Sequence, residues 1–531
     1  MDLRDKIPAC VDFYEGRQWP SPTESTKNLP RPVVNIVKMI CRSKKGAILS
    51  TPVKILYKSY SPFTDVEKFN SFSKAVFKEM GQEELDRQGI DDAIKKGSCF
   101  FHYYWDPSKP SGLGKELGSL ECELIDPLNI FFSDPDELNE QKQEWIIVVS
   151  KKSTSKILSL LDNEISPRNI APLLNEDEIV DSDGKIKLFT RYFRKNGEIW
   201  CERQTMYHTI SKPFKIIPQR NVEPIVNEDF ISKKDSFRHS PEKNSLSREL
   251  YPIVCGVYER REGSIYGMGE VEGLIPNQKS INFNIAMSLL NAQQCAWGKY
   301  IALPNALNGQ KISNVPGQIL LDYSGTGEGI KKLPEGELSK TPLEITTLIE
   351  EMTRSVSGAN TILTGETLGT NMSGTAIAYL QAQAQVPIDE LRNNYYSMKR
   401  KQGMVVAQFL KHFYFKREFI SEKRKDDSKL YDELDEFSSS DFENSLFDVY
   451  VEAVGGTRAS LASDISLLDT CLKNGKISLE TYIRAYPESA ITNKDTILAQ
   501  IELEKSSELE KIKKKLKALG IEERELDDEK Q

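Results

Sequence analysis

GEVEGLIPNQKSINFNIAMSLLNAQQCAWG, residues 269–298, decides how this chain is built. Past Glu272 it holds a single charge, Lys279. From Ile275 to Trp297 its spacing predicts one helix about 35 Å long. Ile281, Ile285, Leu289, Ala292 and Ala296 form an apolar stripe. Asn277, Ser280, Asn284, Ser288 and Asn291 form a second stripe, polar but uncharged. A lone surface helix carries charge on its outer face. A membrane span does not tolerate this much Asn and Gln. Two settings remain: burial inside a large enzyme, or packing against copies of itself in a ring.

On the C-terminal side, residues 299–341 are rich in Gly and Pro, with short strands IALP and QILLDY between turns. Lys311, Lys331 and Lys332 lie here and are solvated unless the region is a docking surface. LEITTLIEEMTRSVSG then predicts a helix with Ile345, Ile349, Met352 and Val356 on one face and Gly358 as its stop. The loop TGETLGTNMSG, residues 364–374, follows. Ser373 is placed to cap a long helix carrying Ile377, Leu380, Ala384, Ile388, Leu391 and Tyr395, which Pro387 should kink or break and which runs to about Lys416. The acidic, serine-rich residues 426–445 read as a linker or exposed insertion. FDVYVEAV predicts a strand, and the chain is helical from 460, with Leu509, Ile512, Leu516 and Leu519 at helical spacing.

On the N-terminal side, residues 1–95 read as mostly helical, with Lys38, Arg42, Lys44 and Lys45 on a solvated face. Residues 96–260 hold β-branched and aromatic runs punctuated by turns, an antiparallel β region. Asp106, Asp126 and Asp134 each precede a proline and read as turn initiators. Residues 218–248 are polar and weakly patterned and read as a long excursion or mobile loop. The fold class is α+β.

Composition excludes several functions. A chain of 531 residues is long enough for two to four domains. A net charge of −8 gives no sign of tight nucleic-acid binding. The eight cysteines form no CxxC pair, and His102, His208, His239 and His412 lie far apart, so zinc spacing is absent and the thiols read as reduced. No apolar signal region opens the chain, and no window reaches ~18 uninterrupted apolar residues, so neither export nor a membrane span is expected. GxxxxGK[ST], HExxH and GxSxG are missing. SGTGEG, Ser324 to Gly329, has the wrong spacing for a dinucleotide fingerprint and reads as a flexible turn. No catalytic residue, metal ligand or cofactor is assigned.

Several segments together resemble the portal proteins of tailed double-stranded DNA bacteriophages, the head-to-tail connectors. They are YGMGEVEGLIPNQKSIN, NVPGQILLDY, SVSGANTILTGE followed by SGTAIAYLQAQAQ, and LKNGKISLETYIRAYP; IDPLNIFFSDP with EWIIVVS is similar to the family's outer β region. Their order is the stronger signal. The resemblance implies an elongated subunit with a β-containing wing, a helical stem, a small α/β clip and a helical crown. It assigns 1–265 to the wing, 266–298 and 342–358 to two stem helices, and 299–341 to the clip. It makes 359–372 a tunnel loop, 373–456 a long kinked wing helix with a returning strand, and 457–531 the crown.

The resemblance further implies a homo-oligomeric, dodecameric ring at one capsid vertex of the virion, made in the bacterial host cytoplasm. Double-stranded DNA would pass through its channel in packaging and ejection. Implied partners are the terminase large subunit, adaptor and head-completion proteins, and the major capsid and scaffolding proteins, with no membrane. Thr364, Gly365, Thr367, Gly369, Thr370 and Asn371 would line the channel, uncharged and so unable to hold phosphates by fixed ion pairs. Asn277, Ser280, Asn284, Ser288 and Asn291 would lie between subunits, and Lys311, Lys331 and Lys332 would serve docking at the clip. Two other readings stay open. One is a metal-dependent nucleic-acid-processing enzyme using dispersed carboxylates such as Asp126, Asp134 and Glu144. The other is a different virion structural protein.

Overall fold

SCFFHYYWDPSKP forms strand β2 (Ser98–Pro110), whose alternation divides two hydrophobic cores. Successive Cβ atoms leave a strand on opposite faces. Phe101 and Tyr103 therefore enter the larger core, and Phe100 enters the second. The structure is a computed structural model. It describes residues 3–485 apart from 60–64, 111–116, 162–184, 218–248, 297–299, 304–305, 312–320, parts of 322–327, 333–339, 359–373, 426–428, 443–444, 454–457 and single positions, and beyond 485 only Ile497 and Gln500. The polar excursion 218–248 and the spaced residues Leu509, Ile512, Leu516 and Leu519 lie outside the described residues.

β2 is the middle of a three-stranded antiparallel sheet, between β3 (Leu117–Ile125) and β9 (Ile253–Val257). The second core lies between it and a five-stranded antiparallel meander of β4 (Ile130–Phe132), β5 (Trp145–Ser153), β6 (Lys185–Lys195), β7 (Glu198–Gln204) and β8 (Thr209–Lys215). The β region expected over 96–260 is therefore present. A polar seam joins the sheets. His102 Nδ1 lies 3.0 Å from Glu123, its Nε2 lies 2.6 Å from the Tyr192 hydroxyl, and Lys152 donates to Glu123 at 2.8 Å. Asp126 and Asp134 accept from Leu128 N and Asp136 N and start turns as expected. Asp106 does not: Asp106 and Pro107 lie inside β2, at a register shift beyond its pairing with β9, where proline is tolerated.

The larger core gathers α1 (Leu3–Glu15), α2 (Ile36–Ile48), α3 (Val66–Glu79) and α4 (Gln82–Lys96) around the long helix α8 (Gly374–Phe413). Ile388, Val405, Val406, Phe409 and Leu410 are buried along α8. A buried network registers α8 on α4. Lys399 donates to Asp86 at 2.5 Å and Gln402 donates at 2.9 Å. Gln82 donates to the same carboxylate at 3.0 Å and accepts from the Tyr103 hydroxyl at 3.2 Å.

Three expectations are corrected, and a fourth in part. Of the kink or break expected at Pro387, the break is absent: α8 runs through it. The missing hydrogen bond and the clash of the ring with the preceding turn together cost about 3 kcal/mol, and burial of the following Ile388 and the turns beyond offsets it. Within the helical N-terminal region, Val53–Ser59 is a strand, β1, paired with the expected C-terminal strand β16 (Phe447–Ala453). Lys44 is not solvated: it is buried and donates to Glu270 at 2.7 Å. The acidic stretch is not a linker. β14 (Lys416–Lys425) and β15 (Lys429–Ser438) form an antiparallel ribbon whose Phe437 stacks on Phe72 at 4.0 Å and on Phe442 at 5.1 Å.

Two outcomes follow from these networks. Asp86→Ala strands the Lys399 ammonium in the core and should destabilise the chain by about 3–5 kcal/mol, read by denaturant unfolding. Burial raises the Glu123 pKa, but the hydrogen bonds and charges of His102 and Lys152 outweigh it and lower the carboxyl from 4.5 to about 2. A depressed carboxylate stabilises the fold above its unfolded pKa and loses that contribution as pH falls through its folded one. Glu123→Gln should therefore flatten the loss of stability between pH 4.5 and about 2, measured by urea midpoints across that range.

Candidate functional site

The uncharged stretch forms helix α6 (Glu270–Ala296), starting one turn before the expected Ile275. The extra turn is secured by its acidic residues. Glu270 accepts from Lys44 and from the Tyr258 hydroxyl at 2.8 Å. Glu272 accepts from Lys6 at 2.9 Å and Arg261 at 2.6 Å. Burial raises the Glu272 pKa, but the bonds from Lys6 and Arg261 hold it below the usual carboxylate range.

One turn further, three amides root the helix in the body. The Gln278 Oε1 accepts from Ile36 N at 3.1 Å and Val37 N at 3.3 Å, two backbone donors at the start of α2. Its Nε2 donates to Val34 O at 2.7 Å and Asn282 Oδ1 at 2.9 Å. Asn282 Nδ2 donates to Gln18 Oε1 at 2.6 Å, and Gln18 donates to Phe13 O at 2.8 Å. Gln278 and Asn282 do not belong to the polar stripe read from the sequence. Their signal was present all the same, as two amides one helical turn apart beside Ile281.

The expected stripe is distributed differently. Asn277 Nδ2 donates at 3.0 Å to Thr353 Oγ1 of α7 (Thr341–Val356), a partner within the same chain. Ser280 and Ser288 donate to the carbonyls of Pro276 and Asn284, back onto their own helix. Asn291 accepts from Cys295 Sγ at 3.5 Å. Beyond the root, α6 and α7 share a polar contact face and turn apolar side chains outward. Thr346 and Thr353 are buried, and Ile349 packs against the core. Phe283 is 58% exposed, Met352 57% and Val356 85%, with Met287, Leu289, Ile345 and Leu348 also exposed. So the face expected to carry Ile345, Ile349, Met352 and Val356 is split, only Ile349 reaching inward.

Between the two helices, β12 (Tyr300–Ala302) pairs antiparallel with β13 (Ile330–Lys332), and exposed Ile301, Leu303, Leu321 and Tyr323 extend the apolar surface. The expected strand QILLDY lies mostly outside the described residues. Lys331 is exposed and forms an ion pair with Glu328 at 2.7 Å, and Lys311 is exposed. Lys332 is placed in β13 opposite Tyr300. Thr364, Gly365, Thr367, Gly369, Thr370 and Asn371 lie outside the described residues. Gly358, at φ +70°, ends α7 as expected. Asp126 is held by Lys96 at 2.7 Å. Among the described residues, no group of three or more His, Cys, Asp or Glu side chains is placed to hold a metal ion, and no helix is long and apolar enough to cross a membrane.

The root yields a direct test. Gln278→Leu leaves the Ile36 and Val37 N–H groups without their acceptor and should cost about 1–3 kcal/mol in denaturant unfolding. Ser280→Ala on the exposed side should stay within about 0.5 kcal/mol of wild type.

Residues 203–431 match the model of the phage P22-like portal protein family. No curated protein sequence matches the chain. Among solved structures, a chain in "Virion of native gene transfer agent (GTA) particle" is similar at 10% identity, covering 92% of this chain and 99% of that chain. Its TM-score is 0.34. The match over 203–431 takes in α6, the β12–β13 pair, α7 and α8, and over those residues the chain is similar to the phage P22-like portal proteins, the likeness that the order of its motifs had indicated.

Proposed function

We propose that the chain is a structural subunit of a phage portal, forming a closed ring of about a dozen copies by packing α6 and α7 against their neighbours. The observation that carries this is the outward apolar surface of those helices, Phe283, Met287, Leu348, Met352 and Val356, above a root that is fully tied to the body. Burying each such side chain contributes about 1.5–3 kcal/mol. A ring offers that burial, repeated at every interface. Asn284, Ser288 and Asn291 would then meet the neighbouring copy, while Asn277 stays with Thr353.

In this reading the body of α1–α4, the β sheets and the second half of α8 is the wing, and residues 299–341 are the clip. The segment 359–372 faces the channel through which double-stranded DNA is packaged and ejected. The terminase motor and the head-completion proteins dock at the clip, where Lys311, Lys331 and Lys332 lie. The chain acts as a conduit and performs no catalysis of its own.

Native mass spectrometry tests the ring. Met352→Asp combined with Val356→Asp should leave a folded monomer where wild type assembles, with unchanged circular dichroism. Assembly of the double variant into the same ring would end the stem-packing reading. Gly365→Val with Gly369→Val should leave rings intact and lower packaged DNA per particle. Normal packaging would reduce 359–372 to a connector. Lys331→Glu with Lys332→Glu should weaken motor binding to intact rings.

A further inference from the structure

The β14–β15 ribbon presents a second surface, unrelated to the stem. Near its base the burial alternates by residue. Arg417, Phe419 and Phe437 are buried, whereas Lys416, Glu418, Ile420, Leu434 and Glu436 are exposed on the other face. The register sets Ile420 opposite Leu434 and Glu418 opposite Glu436. The aliphatic pair is 61% and 56% exposed. The described acidic pair, Glu418 and Glu436, thus lies beside the aliphatic one. Lys416 lies 3.4 Å from Glu436 at the base.

This is an expensive face for a ribbon with no third strand among the described residues. Like charges directly opposite one another destabilise a strand pair, and a lone two-stranded ribbon is marginal in water. Both costs fall if a ligand brings cations to the carboxylates and apolar side chains to Ile420 and Leu434. The ligand chemistry is therefore a short segment with aliphatic residues flanked by lysine or arginine.

The chain contains such a segment. Lys511-Ile512-Lys513-Lys514-Lys515-Leu516-Lys517 has no acidic residue and carries its two aliphatic residues four apart. It lies beyond the described helices α9 (Arg458–Lys473) and α10 (Leu479–Ala485). The intervening residues 486–510 reach about 38 Å even at the helical rise of 1.5 Å per residue. We propose that the exposed face of the β14–β15 ribbon is the docking site of Lys511–Lys517 of the same chain, Ile512 and Leu516 covering Ile420 and Leu434 while the lysines meet the carboxylates. This does not depend on the portal reading.

Zero-length carbodiimide cross-linking of the full chain tests it, since the reagent joins a lysine amine to a carboxylate only at contact. Isotopically heavy and light chains are mixed and the links are mapped by mass spectrometry. Links from Glu418 or Glu436 to Lys511–Lys517 are expected within single chains. Their yield should fall about tenfold in the Ile420→Ser, Leu434→Ser variant, which keeps every reactive group, as expected for loss of an apolar anchor. It should also fall with salt. With Glu418→Lys and Glu436→Lys the links should vanish, and adding Lys513→Glu and Lys515→Glu should bring them back with amine and carboxylate exchanged. Links that reach only Lys416, links that join heavy to light chains, or a yield unchanged by Ile420→Ser and Leu434→Ser would each overturn the assignment.

Discussion

The Gln278 amide stands where the projecting helix α6 meets the body. It accepts from two backbone donors at the start of α2, donates to the carbonyl just before them, and joins Asn282 and Gln18. Buried polar groups left without partners are costly, and fully partnered ones specify a single arrangement. The direction in which α6 leaves the body is set there. So is the direction of α7, which follows α6 through Asn277 and Thr353. Beyond the root, apolar side chains such as Phe283, Met352 and Val356 are exposed.

Charge is used in the same way inside the body. Asp86 gathers Lys399, Gln402 and Gln82, and Glu270 gathers Lys44 and Tyr258. Each carboxylate joins elements far apart in sequence. Ion pairs of this kind add little net stability compared with a well-packed apolar core, but removing one member strands the other. They set the register of helices on one another while aromatic packing supplies the cohesion. The cluster of Phe69, Phe72, Phe437, Phe442 and Phe447 closes the body around α3 and the base of the ribbon.

Legibility in the sequence followed the range of the interactions. The helix of residues 270–296 was readable because its periodicity and lack of charge are local properties. The Gly358 stop was readable for the same reason, as one residue's φ preference. The ribbon was misread because composition hid its alternation: acidic and serine-rich residues masked Phe437 and Phe442, whose burial depends on α3. Lys44 was misread because Glu270, which makes its burial possible, lies 226 residues away.

By itself, the sequence determined the α+β class, the antiparallel β region and a long helix too uncharged for water and too rich in amides for lipid. These rest on side-chain period and solvation, properties a segment carries wherever it is placed. Only the tertiary structure decided that Val53–Ser59 is a strand, since its partner Phe447–Ala453 lies at the other end of the chain. It alone separated the rooting amides Gln278 and Asn282 from the stripe around them, and turned Met352 and Val356 outward while Thr353 faces in. A helix has several faces, and its own sequence does not say which one meets a neighbour; that depends on the groups the rest of the fold brings opposite it.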